Sequence, residues 1–286
     1  GGSGGRMKYW DKSWSLVSGC SPVSLACDNC WLRAMNHRFE TEIEVTGRGD
    51  VKLVDYYDGN WSGDIIPMES RLNLPLRTKK PTVFAVWSDL FHEAVEDDFI
   101  RGAFDVMSQC PQHTFLDLTK RHERIRSVIW RAGAFCLYGH ESLDNVWLGT
   151  TVENQEMADK RIPELLKCEP FNLFLSIEPM LGRIDLDKIC LDSSCQENEG
   201  DIRPWCDINQ IVCGGETGRN ARPCNPTWVR SLRDQCKVAG VPFFFKGWGK
   251  WIPNTNELSS EKYQSHGIFR RDIDGITHDD LAWRTK

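Results

Sequence analysis

The chain has 286 residues, 40% of them apolar, a net charge of −6 and twelve cysteines. That length and apolar content support one large domain or two small ones, and the acidic balance excludes a protein that coats nucleic acid nonspecifically while leaving room for a local basic groove. No apolar run approaches the roughly 20 residues that span a bilayer and no secretory leader is visible, so a cytoplasmic protein without membrane contact is expected; in that compartment clustered cysteines ask for a metal or redox reading.

In chain order, residues 1–6 open on GGSGG and read as an appended leader with no bearing on the fold. The stretch Gly19–Cys30, GCSPVSLACDNC, gathers Cys20, Cys27 and Cys30 in a C-x6-C-x2-C spacing. A helical pattern follows, with Leu32, Met35 and Phe39 forming one apolar stripe. Residues from about 41 to 80 break the pattern and read as an insert.

Six short apolar runs then recur: Pro81–Ser88, His113–Thr119, Asn145–Val152, Phe171–Glu178, Gln210–Gly215 and Val241–Lys246. They are rich in β-branched and aromatic residues, as buried strands are. Their starts lie 32, 32, 26, 39 and 31 residues apart, the room needed for a strand, a crossover helix and two loops. The clearest helix is Pro226–Ala239, with Asn225 as its cap, Pro226 in its first turn and Gly240 past its end. Its residues Val229, Leu232, Cys236 and Ala239 share a face. Alternating strands and helices mean a parallel sheet with right-handed crossovers. An α/β fold, a full or partial (β/α) barrel over residues 7–251 with room for another strand before Cys20, is the leading architecture, and a doubly wound sheet is the second. Residues 252–286 form an extension.

In either architecture chemistry belongs at the carboxyl ends of the strands. Those positions hold Ser88, Asp89 and Glu93, Thr119, Lys120 and Arg121, Glu153 and Asn154, Glu178, Gly214, Gly215 and Glu216, and Lys246. The three clustered thiols admit burial as small hydrophobes, a structural zinc with His37 as fourth ligand, or a [4Fe–4S] cluster. With three thiolates, one iron of such a cluster keeps an open site. A second group, Cys190, Cys195, Cys206 and Cys213, fits neither zinc-ribbon nor ferredoxin spacings. Cys110, Cys136, Cys168, Cys224 and Cys236 read as ordinary thiols. Trp31, Trp87, Trp147, Trp248 and Trp251 fall near strand ends or the cysteine loop and suit either core filling or stacking on a base.

The stretches GCSPVSLACDNCW, SDLFHE, QHTFLDLTKRHERI, NVWLGTTVENQEMADKRIP, SIEPMLG, CGGETGRNARP and SLRDQCKVAGVPFFFKGWG, in this order, resemble a phage- and bacteria-encoded radical-SAM-like family with an extended three-cysteine loop. The commoner loop of radical SAM enzymes is C-x3-C-x2-C, from which this chain departs by three residues in the first gap. The resemblance implies a [4Fe–4S] cluster on Cys20, Cys27 and Cys30 and S-adenosylmethionine on its open iron. It implies one-electron cleavage of that cofactor to a 5′-deoxyadenosyl radical, with a flavodoxin or ferredoxin as donor. Ser88, Asp89 and Glu93 are then expected near the methionine ammonium, and Glu153 and Asn154 near the ribose. Glu178, Gly214, Gly215 and Glu216 are expected near adenosine or substrate, and Lys120, Arg121 and Lys246 near a carboxylate or phosphate of the substrate. The first expected substrate is a nucleobase, an already modified base in phage DNA being one form of it, and a peptide or small molecule is the second substrate class left open. The alternative from another class is a zinc-stabilised, non-enzymatic nucleic-acid-binding or accessory protein.

Overall fold

The computed structural model describes residues 8–39, 42–45, 49–55, 58–131, 143–168, 171–189, 204–253, 263–265 and 270–284. The chain divides into two compact units: an amino-terminal one of Trp10–Gly149 with Cys168–Asn172, and a carboxyl-terminal one of Gly1–Tyr9, Thr150–Lys167 and Leu173–Lys286.

The amino-terminal unit carries β1 (Lys12–Ser15), α1 (Trp31–Arg38), β2 (Val83–Trp87), α2 (Asp97–Ser108), β3 (Thr114–Thr119), α3 (His122–Arg131) and most of β4 (Val146–Thr151). β1 pairs in parallel with β2, and β2 with β3. Residues two apart on a strand share a face, so the registers Trp14↔Val86, Phe84↔Phe115 and Val86↔Asp117 define one inward surface. It is aromatic at its base, where Phe84 stacks on Phe115 at 5.6 Å and Trp14 tilts against Phe115 at 5.4 Å. Burying each such ring contributes about 1.5–3 kcal/mol. α2 turns Ile100, Ala103, Phe104 and Met107 inward, the i, i+3, i+4, i+7 pattern of a crossover helix. The insert forms a hairpin of Glu42–Val45 with Gly49–Lys52 and returns through Ile66–Pro67, which pairs with Val17–Ser18 just before the cysteine loop.

The carboxyl-terminal unit carries the end of β4, then α4 (Gln155–Leu166), β5 (Asn172–Ile177), β6 (Gln210–Gly214), α5 (Pro226–Ala239) and β7 (Phe243–Gly247). β6 lies in parallel between β5 and β7. α5 begins and ends as its sequence dictates: the Asn225 side chain accepts from Thr227 N at 2.9 Å, and Gly240 takes the left-handed conformation at φ 72°. Residues 270–284 are part of this unit. Phe245 N donates to His278 O at 2.9 Å, and Gln210 bonds both Asp280 O and Ala282 N, so the extension covers the open edge of β7.

The seven parallel strands follow one another in sequence order throughout. A doubly wound sheet reverses its order at a switch point; this one does not, and the topology is that of a partial (β/α) barrel. No helix among the described residues is long and apolar enough to cross a membrane.

Candidate functional site

The chain leaves β1 through the short strand Val17–Ser18 and turns at Gly19, whose φ is 87°. A Cβ there would lie 1.9 Å from Asp64 O, so only glycine lets the cysteine loop cross the insert so closely. Cys20, Cys27 and Cys30 are all half-buried and free of disulfides. Leu25–Cys27 forms one 3-10 turn, and Cys30 sits at the start of α1.

One polar network braces this loop. At the end of β2, Ser88 adopts a left-handed φ of 67°, a strained value for a residue with a side chain, and the chain turns into Asp89. Asp89 Oδ1 accepts from Thr119 Oγ1 at 2.6 Å, and Oδ2 accepts from Arg121 Nη1 at 2.6 Å. The same guanidinium donates through Nε to Glu93 at 2.6 Å and through Nη2 to Ser21 Oγ at 2.6 Å. Ser21 Oγ also meets His92 Nε2 at 2.9 Å. Because His92 Nδ1 accepts from Ala94 N at 3.1 Å, the ring proton sits on Nε2 and the imidazole is neutral. Burial first, and then the Arg121 charge, lower its pKa in keeping with that state. Arg124 fastens the same loop by donating to His92 O and to Asp97 Oδ1, the latter at 2.8 Å. Burial, followed by the Asp89 charge, pushes the Cys20 thiol up to about 11, and Cys27 and Cys30 are close enough to add to the effect.

Beneath the network lies Asp117, on the face of β3 that also carries Phe115 and Thr119. It is 1% exposed, and neither carboxylate oxygen has a hydrogen-bond partner among the described residues. Burial and then Asp89 raise its pKa well above the ordinary value. A protonated carboxyl is the form such a site stabilises.

The carboxyl-terminal unit holds a second polar group. Lys246, on β7, is ion-paired with Glu178 at the end of β5, and its ammonium lies 5.5 Å from the centre of the Tyr9 ring. Glu178 Oε1 is buried with no hydrogen-bond partner among the described residues. Burial and the neighbouring Glu178 carboxylate raise the Tyr9 pKa well above its usual value.

Several expected ligand contacts are committed inside the fold. Arg121 is spent as the brace just described. Glu153 is fully buried and paired with Arg161 at 3.1 Å, and Asn154 caps α4 by accepting from Met157 N at 3.0 Å. Glu216 is held by Arg222 through three hydrogen bonds of 2.6–3.0 Å. Gly215 answers to packing: a Cβ there would lie 2.0 Å from Trp248 O. The Cβ direction of Gly214 faces Lys246 and Glu178 at 3.4–3.5 Å. Lys120 is half-buried and makes no hydrogen bond or ion pair among the described residues. Within the amino-terminal unit the structure thus brings together Cys20, Asp89, Glu93 and Arg121; within the other it joins Glu178, Gly214 and Lys246.

Sequence reasoning missed Ser21, His92 and Asp117, whereas Thr119 was among the expected strand-end residues. Ser21 and His92 sit inside motifs already singled out, but serine and histidine are too common in loops to stand out there. Asp117 carried a stronger signal, an acid in the middle of the apolar run TFLDLT.

Other expectations on cysteines and aromatics resolve simply. Cys213, Cys224 and Cys236 are buried thiols whose pKa values burial raises. Cys136, Cys190 and Cys195 lie outside the described residues, as do the side chains of Cys206 and Trp87. Trp147 and Trp248 are core residues. The Met35 and Phe39 stripe of α1 is not core: the buried residue of that helix is Asn36.

No three His, Cys, Asp or Glu side chains among the described residues are placed to share one metal ion. A [4Fe–4S] cube does not ask this of its protein, because each thiolate binds a different iron. Three free thiols on a half-buried loop, none tied to another, suit that donor set.

The pattern of a family described as protein of unknown function (DUF5131) matches residues 5–282. No curated protein and no solved structure matches the chain.

Proposed function

Because the chain belongs to the DUF5131 family, whose description carries no activity, we propose from its own residues that it is an iron–sulfur enzyme of the radical SAM type. The observation that carries the reading is the loop of three free thiols at the carboxyl end of the first strand of a parallel (β/α) array, held by a buried charged network. Cys20, Cys27 and Cys30 would hold a [4Fe–4S] cluster, leaving a coordination site for S-adenosylmethionine. What those groups supply when bound is one-electron cleavage of a carbon–sulfur bond and, through it, hydrogen removal from an unactivated carbon.

The chain's own residues hold and position. Arg121 ties the first thiol's neighbour, Ser21, to Asp89 and Glu93, so one guanidinium joins the loop to the ends of β2 and β3. Glu93 keeps most of its side chain in solvent while bonded to Arg121, which suits a cofactor ammonium group arriving from outside. Lys120, which makes no hydrogen bond or ion pair among the described residues, is a cation suited to a substrate phosphate or carboxylate. Its presence supports a nucleotide-like substrate, with a modified nucleobase of phage DNA as the first candidate.

Anaerobic reconstitution tests the chemistry. The expected result is a brown protein with about four irons and four sulfides per chain that forms 5′-deoxyadenosine from S-adenosylmethionine under reduction. A colourless protein with one tightly held zinc overturns it. Nucleoside mass spectrometry of DNA made with and without the active protein tests the substrate class, which an unchanged profile would remove.

A further inference from the structure

Two groups converge on one backbone oxygen beside the first thiol. The Cys20 thiol donates to Ser21 O at 3.6 Å, and Arg121 Nη2 donates to the same oxygen at 3.3 Å. The guanidinium therefore stands within two hydrogen-bond lengths of Cys20 Sγ. Its Nη1 bonds Asp89 Oδ2 at 2.6 Å, which brings an anion into the same neighbourhood. A full cation and a full anion thus lie close to one thiol.

Water screens neither of them well. The Arg121 side chain is 10% exposed and that of Asp89 9%, and charges so placed act through a smaller effective dielectric than surface pairs do. The other titratable groups around them weigh less. His92, which meets Ser21 Oγ through Nε2, is neutral. Glu93 also pairs with Arg121, but its side chain is 68% exposed. Arg124 is held by Asp97, and burial keeps Asp117 protonated beneath the network. The Cys20 thiol registers both buried charges: after burial itself, Asp89 pushes its pKa up and Arg121 pulls it down.

A thiol that loses its proton and a metal–sulfur group that gains an electron each place one more negative charge on the loop. One field governs both events. Arg121 therefore eases the gain of an electron and Asp89 resists it.

We propose that Arg121 and Asp89 are an opposed pair of charges that sets the reduction potential of the cluster held by Cys20, Cys27 and Cys30; this rests on the iron–sulfur reading above. The role goes beyond bracing the loop, because loss of a brace has one sign of effect whichever partner is removed, and a field has two. The electron comes from an external one-electron reductant, which is oxidised by one electron; no bond breaks and no proton moves in the transfer.

The test is a redox titration of the anaerobically reconstituted full chain with dithionite, followed by visible absorption, with iron and sulfide measured for every variant. At the potential where the parent is half reduced, Arg121→Gln is expected to lower the ratio of reduced to oxidised protein about tenfold, and Asp89→Asn to raise it by a similar factor. Arg121→Lys, which keeps the charge but not the fork, should titrate close to the parent even where it loosens the loop. Should Arg121→Gln fail to fold or to hold iron, Asp89→Asn decides by itself: a raised ratio supports the proposal, and a parent-like or lowered one overturns it. Midpoints that move in the same direction for Arg121→Gln and Asp89→Asn also overturn it. A reconstituted parent without iron and sulfide strikes the iron–sulfur reading and this proposal together, whereas a loaded parent whose variants all titrate alike strikes this proposal alone.

Discussion

Arg121 reaches from the end of β3 to the end of β2, where its Nη1 donates to Asp89 Oδ2 at 2.6 Å, with both side chains about nine-tenths buried. The same guanidinium bonds Ser21 of the cysteine loop, so one side chain fixes three segments far apart in sequence. Removing it strands the Asp89 charge out of water, and breaking one partner of such a pair costs roughly 3–5 kcal/mol. Arg121→Leu should therefore lower unfolding free energy by about 3 kcal/mol in denaturant titrations. Arg121→Lys, which keeps the charge but not the fork, should recover only part of the loss. A loss below about 1 kcal/mol for the leucine variant would mean the network is ornamental to folding.

Asp117 yields a pH signature. Its carboxyl is raised well above the ordinary range by burial and then by Asp89, so the folded chain keeps a proton that the unfolded chain has released. Its contribution to stability is complete below about pH 4, the unfolded value, and is lost as pH rises through the folded value. Asp117→Asn is neutral at every pH and escapes that loss. Denaturation midpoints of variant and parent should diverge with rising pH in the variant's favour and then run parallel. Parallel profiles from acid upward would show that the carboxylate is charged and accommodated in the native state.

The Cys20 thiol resists ionisation. Cys20 is held up to about 11, by burial first and Asp89 second, so little thiolate is present near neutral pH. Its alkylation by iodoacetamide in the metal-free protein should rise about tenfold per pH unit towards that value, followed by peptide mass spectrometry. Iron loading must displace this proton and should be more complete at higher pH. Single replacements of Cys20, Cys27 or Cys30 by Ala should reduce 5′-deoxyadenosine formation to the background of cluster-free protein while circular dichroism stays that of the parent. Undiminished formation in all three would remove these residues from the chemistry.

Gly215 predicts a purely steric effect. Its Cβ position lies 2.0 Å from Trp248 O and 2.5 Å from the carbonyl carbon, both backbone atoms that cannot swing aside. Gly215→Ala should destabilise the carboxyl-terminal unit by about 1–3 kcal/mol, the cost of overpacking. Thermal unfolding within experimental error of the parent would show that the backbones of β6 and the residues after β7 part easily.

Much of the fold was readable along the chain because its information is local. The runs at Val83–Trp87, Thr114–Thr119, Val146–Thr151, Asn172–Ile177 and Gln210–Gly214 are strands within a residue or two of the apolar stretches that announced them. Pro226–Ala239 begins and ends at its expected cap and glycine. α1 is the instructive exception: its apolar period is genuine, yet Met35 and Phe39 face solvent, since periodicity specifies a face and not what covers it. Polar residues at strand ends were also legible as a set but not individually. Glu153, Glu178 and Glu216 occupy equivalent positions in three strand–loop junctions. Arg161 and Arg222 hold the first and third, whereas Glu178 pairs with Lys246 and keeps one oxygen without a hydrogen-bond partner among the described residues.

The sequence by itself determined the alternation of strands and helices, the caps of α5 and the spacing of three thiols, all of which depend on neighbours a few residues away. Tertiary structure alone decided that Arg121 would be spent on Asp89, Glu93 and Ser21, that Asp117 would be buried beneath them, and that α1 would turn its aromatic side outward. Those outcomes depend on which segments 28 to 100 residues apart come to share a few ångströms of low-dielectric space. Pairing and desolvation energies are properties of that shared space, and no local pattern encodes them.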